Sequence, residues 1–147
     1  MTEIPLQEIA EVADNYESSA AGEAGAKAAI EWHSASRTDL GRVRHINEDA
    51  FLEAPDQRLW VVADGMGGHS RGDYASKAVV DQLRTCPHQT TTLANLQDLE
   101  ARLMAANEQC RNAFRNKMPG TTVVAMLSHG NYCFFLWAGD SRVYRLR

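Results

Sequence analysis

Three polar clusters in this chain have the residue types and spacing for phosphate and metal chemistry. The first, Arg44-His-Ile-Asn47-Glu48-Asp49, sets an arginine, an amide and two adjacent carboxylates ahead of a strand-like run. Arginine suits phosphate because its planar fork donates parallel hydrogen bonds to two oxygens. Carboxylates suit magnesium or manganese, hard cations that prefer oxygen ligands. A polar turn of solvated charges is the other reading of the same residues. The second cluster, Asp64-Gly65-Met66-Gly67-Gly68-His69-Ser70-Arg71-Gly72, follows an apolar strand. Its aspartate stands at a sheet end, and its glycines allow a backbone carbonyl to approach the same ion. His69 is a candidate general acid, a phosphate contact or a polar loop residue, and the sequence leaves all three open. A dinucleotide cradle is the rival reading of this loop, but the spacing Gly65-x-Gly67-x-x-Ser70 lacks the third glycine. Asp64 would also repel a pyrophosphate. The third cluster, Gly139-Asp140-Ser141-Arg142, closes an apolar run and offers one more carboxylate at a strand end.

Other catalytic signatures are missing. The sequence has no HExxH, GxSxG or GxxxxGK[ST] motif, and no cysteine is followed six residues on by arginine. Cys86, Cys110 and Cys133 are too few and scattered for a disulfide framework or a zinc site, and read as small buried hydrophobes.

The elements that must carry these clusters follow from hydrophobic period. Residues 31–37 alternate loosely as a strand, 49–53 read as a second, and Leu59-Trp-Val-Val-Ala63 as a buried third. From Ser70 the period becomes helical. Ser70 and Asp73 have capping-box spacing, with Ala75, Ala78, Val79 and Leu83 on one face up to Cys86-Pro87. Leu96, Leu99, Leu103, Ala106, Cys110 and Phe114 trace a second helix, which Pro119-Gly120 stops. Runs 121–128 and 132–138 then read as a hairpin around His129-Gly-Asn.

Composition bounds the class. With 147 residues, 44% hydrophobic and 23% charged, the chain reads as a globular protein of one domain's size. No apolar run approaches the roughly 18 residues of a membrane span, and no secretory signal pattern opens the chain, so a cytoplasmic location is expected. The net charge of −4 is uneven. Residues 1–31 carry seven acids and one lysine, which leaves 12 acids and 14 bases for 32–147. This acidic leader, rich in small residues, is expected to be flexible apart from a short helix near Leu6–Val12. Nothing in it or in the body forms a basic arm for nucleic acid.

Taken in order, Arg44-x-x-Asn-Glu-Asp49, Asp64-Gly-Met-Gly-Gly-His69-x-x-Gly72 with Ala75-Ser76, Gly120-Thr-Thr122 and Gly139-Asp-Ser-Arg142 resemble the motifs of bacterial PPM-family (type 2C) protein serine/threonine phosphatases. The resemblance implies an α+β fold, a four-layer αββα sandwich of two antiparallel sheets flanked by helices, over residues 32–147. It implies that Asp64 bridges two divalent ions, Mg2+ or Mn2+, with the Gly65 carbonyl on one of them. Glu48 and Asp49 would hold ion-bound waters, Arg44 would grip the substrate phosphate, and Asp140 would belong to a third ion. Ions of this kind acidify a bound water and neutralise phosphoryl charge. Substrates would be phosphoserine and phosphothreonine proteins, opposite a serine/threonine kinase in a signalling pathway. Some members carry a histidine directly after the aspartate-glycine pair. Met66 stands there in this chain, so no general acid carries over.

The family domain is longer, and its later part supplies further metal-binding aspartates. The expectation is therefore an N-terminal part, its C-terminal portion missing, with weak metal binding, poor or absent hydrolysis, and one sheet face left bare. A non-catalytic module that binds phosphoproteins or a partner is the alternative function.

Overall fold

The computed structural model describes residues 5–21, 30–67, 71–114 and 118–147. Its centre is an antiparallel sheet. Strands β1 (Asp49–Ala54) and β2 (Leu59–Met66) form a hairpin around a 3-10 turn at Pro55–Gln57. Arg58 completes that turn at φ 54, its amide donating to the Pro55 carbonyl. Strands β3 (Gly120–Thr121) and β4 (Val123–His129) run along β2 in one register, Thr121 opposite Gly65 and Val124 opposite Val62, with a break at Thr122. Strand β5 (Tyr132–Ala138) returns along β4. Gly130 makes that return at φ 56, a left-handed backbone that glycine adopts without steric cost. The order is β1-β2-β4-β5, with β3 extending the pairing on β2.

Alternation along β2 decides which face is covered. Leu59, Val61 and Ala63 are buried, and with Leu52, Ala125 and Leu127 they meet helices α2 (Gly72–Arg84) and α3 (Thr92–Ala113). The helices answer with Val79 and Leu83 from α2 and Leu96 and Leu99 from α3. The Thr91 hydroxyl caps α3 by accepting from the Ala94 amide at 3.2 Å. Both expected helices, the hairpin and the buried third strand are present.

Three expectations change. Helix α2 starts at Gly72 after Arg71, without a side-chain cap; Ser70, the expected cap, lies outside the described residues, as does His69. Residues 30–40 form no strand. That segment is held by side chains instead, with Trp32 packed on Trp60 at 5.1 Å and the Ser36 hydroxyl donating to Glu53 at 2.8 Å. The helix expected near Leu6–Val12 runs on as α1 (Leu6–Ala21). It docks on α3: Ala10 and Ala13 are buried, and Asp14 accepts from the Thr92 hydroxyl at 2.6 Å. Leu6, Ile9, Ala10 and Ala13 form a helical stripe, and small residues within it permit close approach. Average composition hides such a stripe. The expected α+β architecture with antiparallel strands and flanking helices is present, the described residues building one sheet of the sandwich with helices on one face. On the uncovered face Val62, Phe135 and Trp137 are exposed.

Leu99 is wholly buried between α3 and the sheet, whereas Val12 is 67% exposed on α1. Leu99→Ala should cost about 3 kcal/mol and Val12→Ala less than about 0.5 kcal/mol in urea unfolding. Equal costs for the two would contradict this core.

Candidate functional site

The site forms at the end of the sheet where β1 begins and β2 ends. Asp49 is the direct cross-strand partner of Asp64, so both side chains stand on the same, uncovered face. Continuing the registers, Asp64 is followed across the sheet by Thr122 and then by Gly139. Asp49, Asp64, Thr122 and Gly139 therefore make one row. Asp140 is exposed at the same sheet end, about two strand spacings (roughly 10 Å) from Asp64.

Glu48 and Asp49 are neighbours in sequence but separate in space. Successive residues of an extended chain face opposite ways. Glu48 turns toward α2, where its Oε1 accepts from the Gly72 amide at 3.2 Å, a carboxylate at a helix N-terminus. The Glu48 carbonyl accepts from the buried Ser76 hydroxyl at 2.6 Å and from the Gly65 amide at 3.1 Å. Gly65 and Gly72 make this approach possible. A Cβ on Gly65 would overlap the Gly72 carbonyl and the Glu48 carbonyl oxygen, and one on Gly72 would strike the Glu48 carboxylate.

Asp49 is left facing Asp64. Partial burial is the first cause pushing its carboxyl above the usual range, followed by repulsion from Asp64 and then from Glu48. Two carboxylates that resist sharing one charge state suit a cation between them. Their hard oxygens fit magnesium or manganese. They are only part of a shell, because among the described residues no three His, Cys, Asp or Glu side chains converge.

Other residues position this pair. The Asn47 carbonyl oxygen accepts from the Asp49 amide at 3.0 Å, and its amide group donates to Thr38 at 2.8 Å. Thr122, 3% exposed, accepts from the Asp64 amide at 3.2 Å through Oγ1 and donates its own amide to the Asp64 carbonyl at 2.8 Å. Its hydroxyl also meets that of Ser141 at 2.5 Å. Gly139, at φ 99, leaves space for the Thr122 methyl. The polar-cluster reading missed Thr122 and Ser76 because single hydroxyls in apolar runs look like packing; their motif context alone singled them out. Arg44 is exposed in the turn-and-bend stretch 41–46, and no hydrogen bond or ion pair holds it among the described residues.

The raised Asp49 carboxyl gives a pH prediction. The folded chain binds that proton more tightly than the unfolded chain. Its ionisation therefore opposes folding above the raised value, and the penalty disappears below the ordinary carboxylate range. Asp49→Asn should raise the unfolding midpoint of the chelator-treated protein at pH 7. The gain should stay under about 1 kcal/mol, since the group is exposed, and vanish near pH 3. A lower midpoint at pH 7 in calorimetry would contradict the repulsion.

Known proteins resemble this chain in sequence and fold. The profile of the protein phosphatase 2C family matches residues 41–147. A serine/threonine phosphatase of Listeria welshimeri is 36% identical over 126 residues, covering 78% of this chain and 50% of its own length. The crystal structure of Mycobacterium tuberculosis PstP catalytic domain with two manganese ions superposes with TM-score 0.61 at 34% identity, over 72% of this chain and 47% of that one. PppA, described as a regulatory component of the type VI secretion system in Pseudomonas aeruginosa, superposes with TM-score 0.72 at 46% identity, over 77% and 50%. The chain spans about half the length of these relatives. With a family profile over most of the chain and relatives at 34–46% identity over roughly three quarters of it, the chain belongs to the protein phosphatase 2C family.

Proposed function

We propose that this chain carries the first half of a metal-dependent protein serine/threonine phosphatase site, and that these residues alone hydrolyse phosphoesters weakly or not at all. The observation behind this reading is the cross-strand Asp49–Asp64 pair, two carboxylates held together at a sheet end with no compensating cation among their described neighbours. Asp64 and Asp49, with the Gly65 carbonyl, would supply the oxygen donors that hold the divalent ions. Glu48 contributes differently from the family expectation, since its carboxylate is engaged by the α2 N-terminus and fixes the approach of helix to strand. Asp140 lies at the same sheet end for a third ion, and exposed Arg44 supplies the phosphate contact. His69 takes no role in this proposal.

When bound, magnesium or manganese supplies an acidified water as nucleophile and neutralises phosphoryl charge. The chain's own part is to hold the oxygen donors in place: Thr122 pins the Asp64 backbone, and Asn47 pins that of Asp49. Water can fill many positions around such ions, but it cannot supply the negative charge that further carboxylates would bring to a two-ion centre. The relatives, named serine/threonine phosphatases, support phosphoserine and phosphothreonine proteins as substrates; a kinase-opposed signalling role and a cytoplasmic location are further parts of this proposal. No helix among the described residues is long and apolar enough to cross a membrane.

Manganese titration of the chelator-treated chain, followed by paramagnetic broadening of backbone amide signals, tests this reading. Broadening should centre on residues 49, 64 and 65. Asp64→Asn should weaken it by at least on the order of tenfold. p-Nitrophenyl phosphate turnover should remain at background with manganese. Broadening elsewhere would overturn the metal assignment, and robust turnover abolished by Asp64→Asn would overturn the claim of weak activity.

A further inference from the structure

A second polar centre lies at the opposite end of the sheet, where the β1–β2 turn, the α2–α3 loop and the β4–β5 turn meet. Its hub is Asn95 of α3, which is 1% exposed. The Asn95 Oδ1 accepts from the Gln89 amide at 2.8 Å, so the orientation of its side chain is set. The Nδ2 group then donates to the Gln89 carbonyl at 3.0 Å, the Thr91 carbonyl at 2.9 Å and the Nδ1 of His129 at 3.1 Å. Two hydrogens serve three acceptors. His129 Nδ1 can take its share only as an unprotonated nitrogen, which places the ring proton on Nε2. A flip of the amide cannot rescue a protonated Nδ1, because it would set an NH2 group against the Gln89 N–H.

Charge around this ring is one-sided. His88 of the α2–α3 loop lies 5.2 Å from it, centroid to centroid. Arg58 of the β1–β2 turn is close enough to act on His88, and Tyr132 pairs with His129 across the turn. Neither histidine has a carboxylate partner among the described residues. Burial, His129 and Arg58 lower the His88 pKa, against a raising contribution from the Gln57 backbone. The elements joined here matter for the rest of the chain. Asn95 shapes the loop from Gln89 to Thr91, and β4 and β5 lead from His129 and Tyr132 to Thr122 and Asp140.

We infer that His129 and Asn95 form an acid-released latch, closed while His129 is neutral and opened by its protonation, that ties the β4–β5 turn to the α2–α3 loop. Protonation converts the Nδ1 acceptor into a donor facing a donor, and it adds a positive charge beside His88 and Arg58. Both effects act in one direction.

Nuclear magnetic resonance on the full chain tests the latch. At pH 7.5, long-range nitrogen–proton correlation should show the Nε2–H tautomer of His129; the Nδ1–H tautomer would overturn the proposal. Between pH 7.5 and 5.5, amide exchange at Gln89, Thr91, Gly130 and Asn131 should accelerate on the order of fivefold to tenfold after correction for intrinsic rates, as expected for one lost hydrogen bond. His129→Asn places a non-titrating oxygen where Nδ1 was, and in that variant the acceleration should disappear. The same acceleration in His129→Asn would refute the latch. If that variant fails to fold, His129→Gln serves the same comparison, and the tautomer measurement on the unaltered protein stands independently.

Discussion

The contact on which the site depends is one with no side chain in it: Gly65 of β2 lying directly beneath Gly72 at the start of α2. Because neither residue has a Cβ, strand and helix approach closely enough for Glu48 to engage both. Its carbonyl takes the Gly65 amide and the Ser76 hydroxyl, and its carboxylate takes the Gly72 amide. These bonds fix the chain just before β1. The next residue then faces the other way, which puts Asp49 opposite Asp64. The acidic pair is thus a consequence of backbone packing on the far side of the sheet. The tasks are separated: the Glu48 carboxylate supports the structure on one face, while Asp49 and Asp64, the carboxylates proposed to hold a cation, stand on the other.

The two faces of the sheet also differ in how they are stabilised. One is sealed by α2 and α3 over Leu59, Val61, Ala63 and Leu127. The other keeps Val62, Phe135 and Trp137 exposed and carries a shallow groove lined by Phe51, Trp60, Val62, Val124, Met126 and Phe135. Segments 34–36 and 142–143 flank that groove. Apolar exposure of this extent is unusual on a self-sufficient surface. The same face bears Asp49 and Asp64, so whatever covers the apolar part also changes the solvation of the carboxylates. Covering the face and completing the metal shell are one problem.

Much of this was legible in the sequence, for physical reasons that differ by element. The helices α2 and α3 announced themselves through stripes such as Leu96, Leu99, Ala106 and Cys110, whose spacing has no other use. Strand β2 was legible from its apolar run, and the three polar clusters were legible because charges at strand ends have few structural purposes. The segment 31–37 misled, since loose alternation is satisfied equally by a chain pinned through Trp32 and Ser36. The leader misled in the opposite sense, because its average composition concealed the contacts of Ala10 and Ala13. Glu48 could not be separated from Asp49 by type or spacing. Only register assigns them to opposite faces.

Thr122 shows why a motif and a mechanism are different kinds of information. As part of Gly120-Thr-Thr122 it marks a family; in the fold it breaks what would otherwise be one continuous strand from Gly120 to His129. Its amide keeps the bond to Asp64 that the strand would have made, while its hydroxyl accepts a second bond from the Asp64 amide and reaches Ser141. An apolar residue of the same shape could preserve the strand-like bond but not the other two. The hydroxyl therefore joins the segment carrying Asp140 to the backbone of Asp64, across a gap that the carboxylates do not bridge themselves. The two acids of the row, Asp49 and Asp64, repel each other. Hydrogen bonds from the neutral neighbours Asn47 and Thr122 hold their backbones in register against that repulsion.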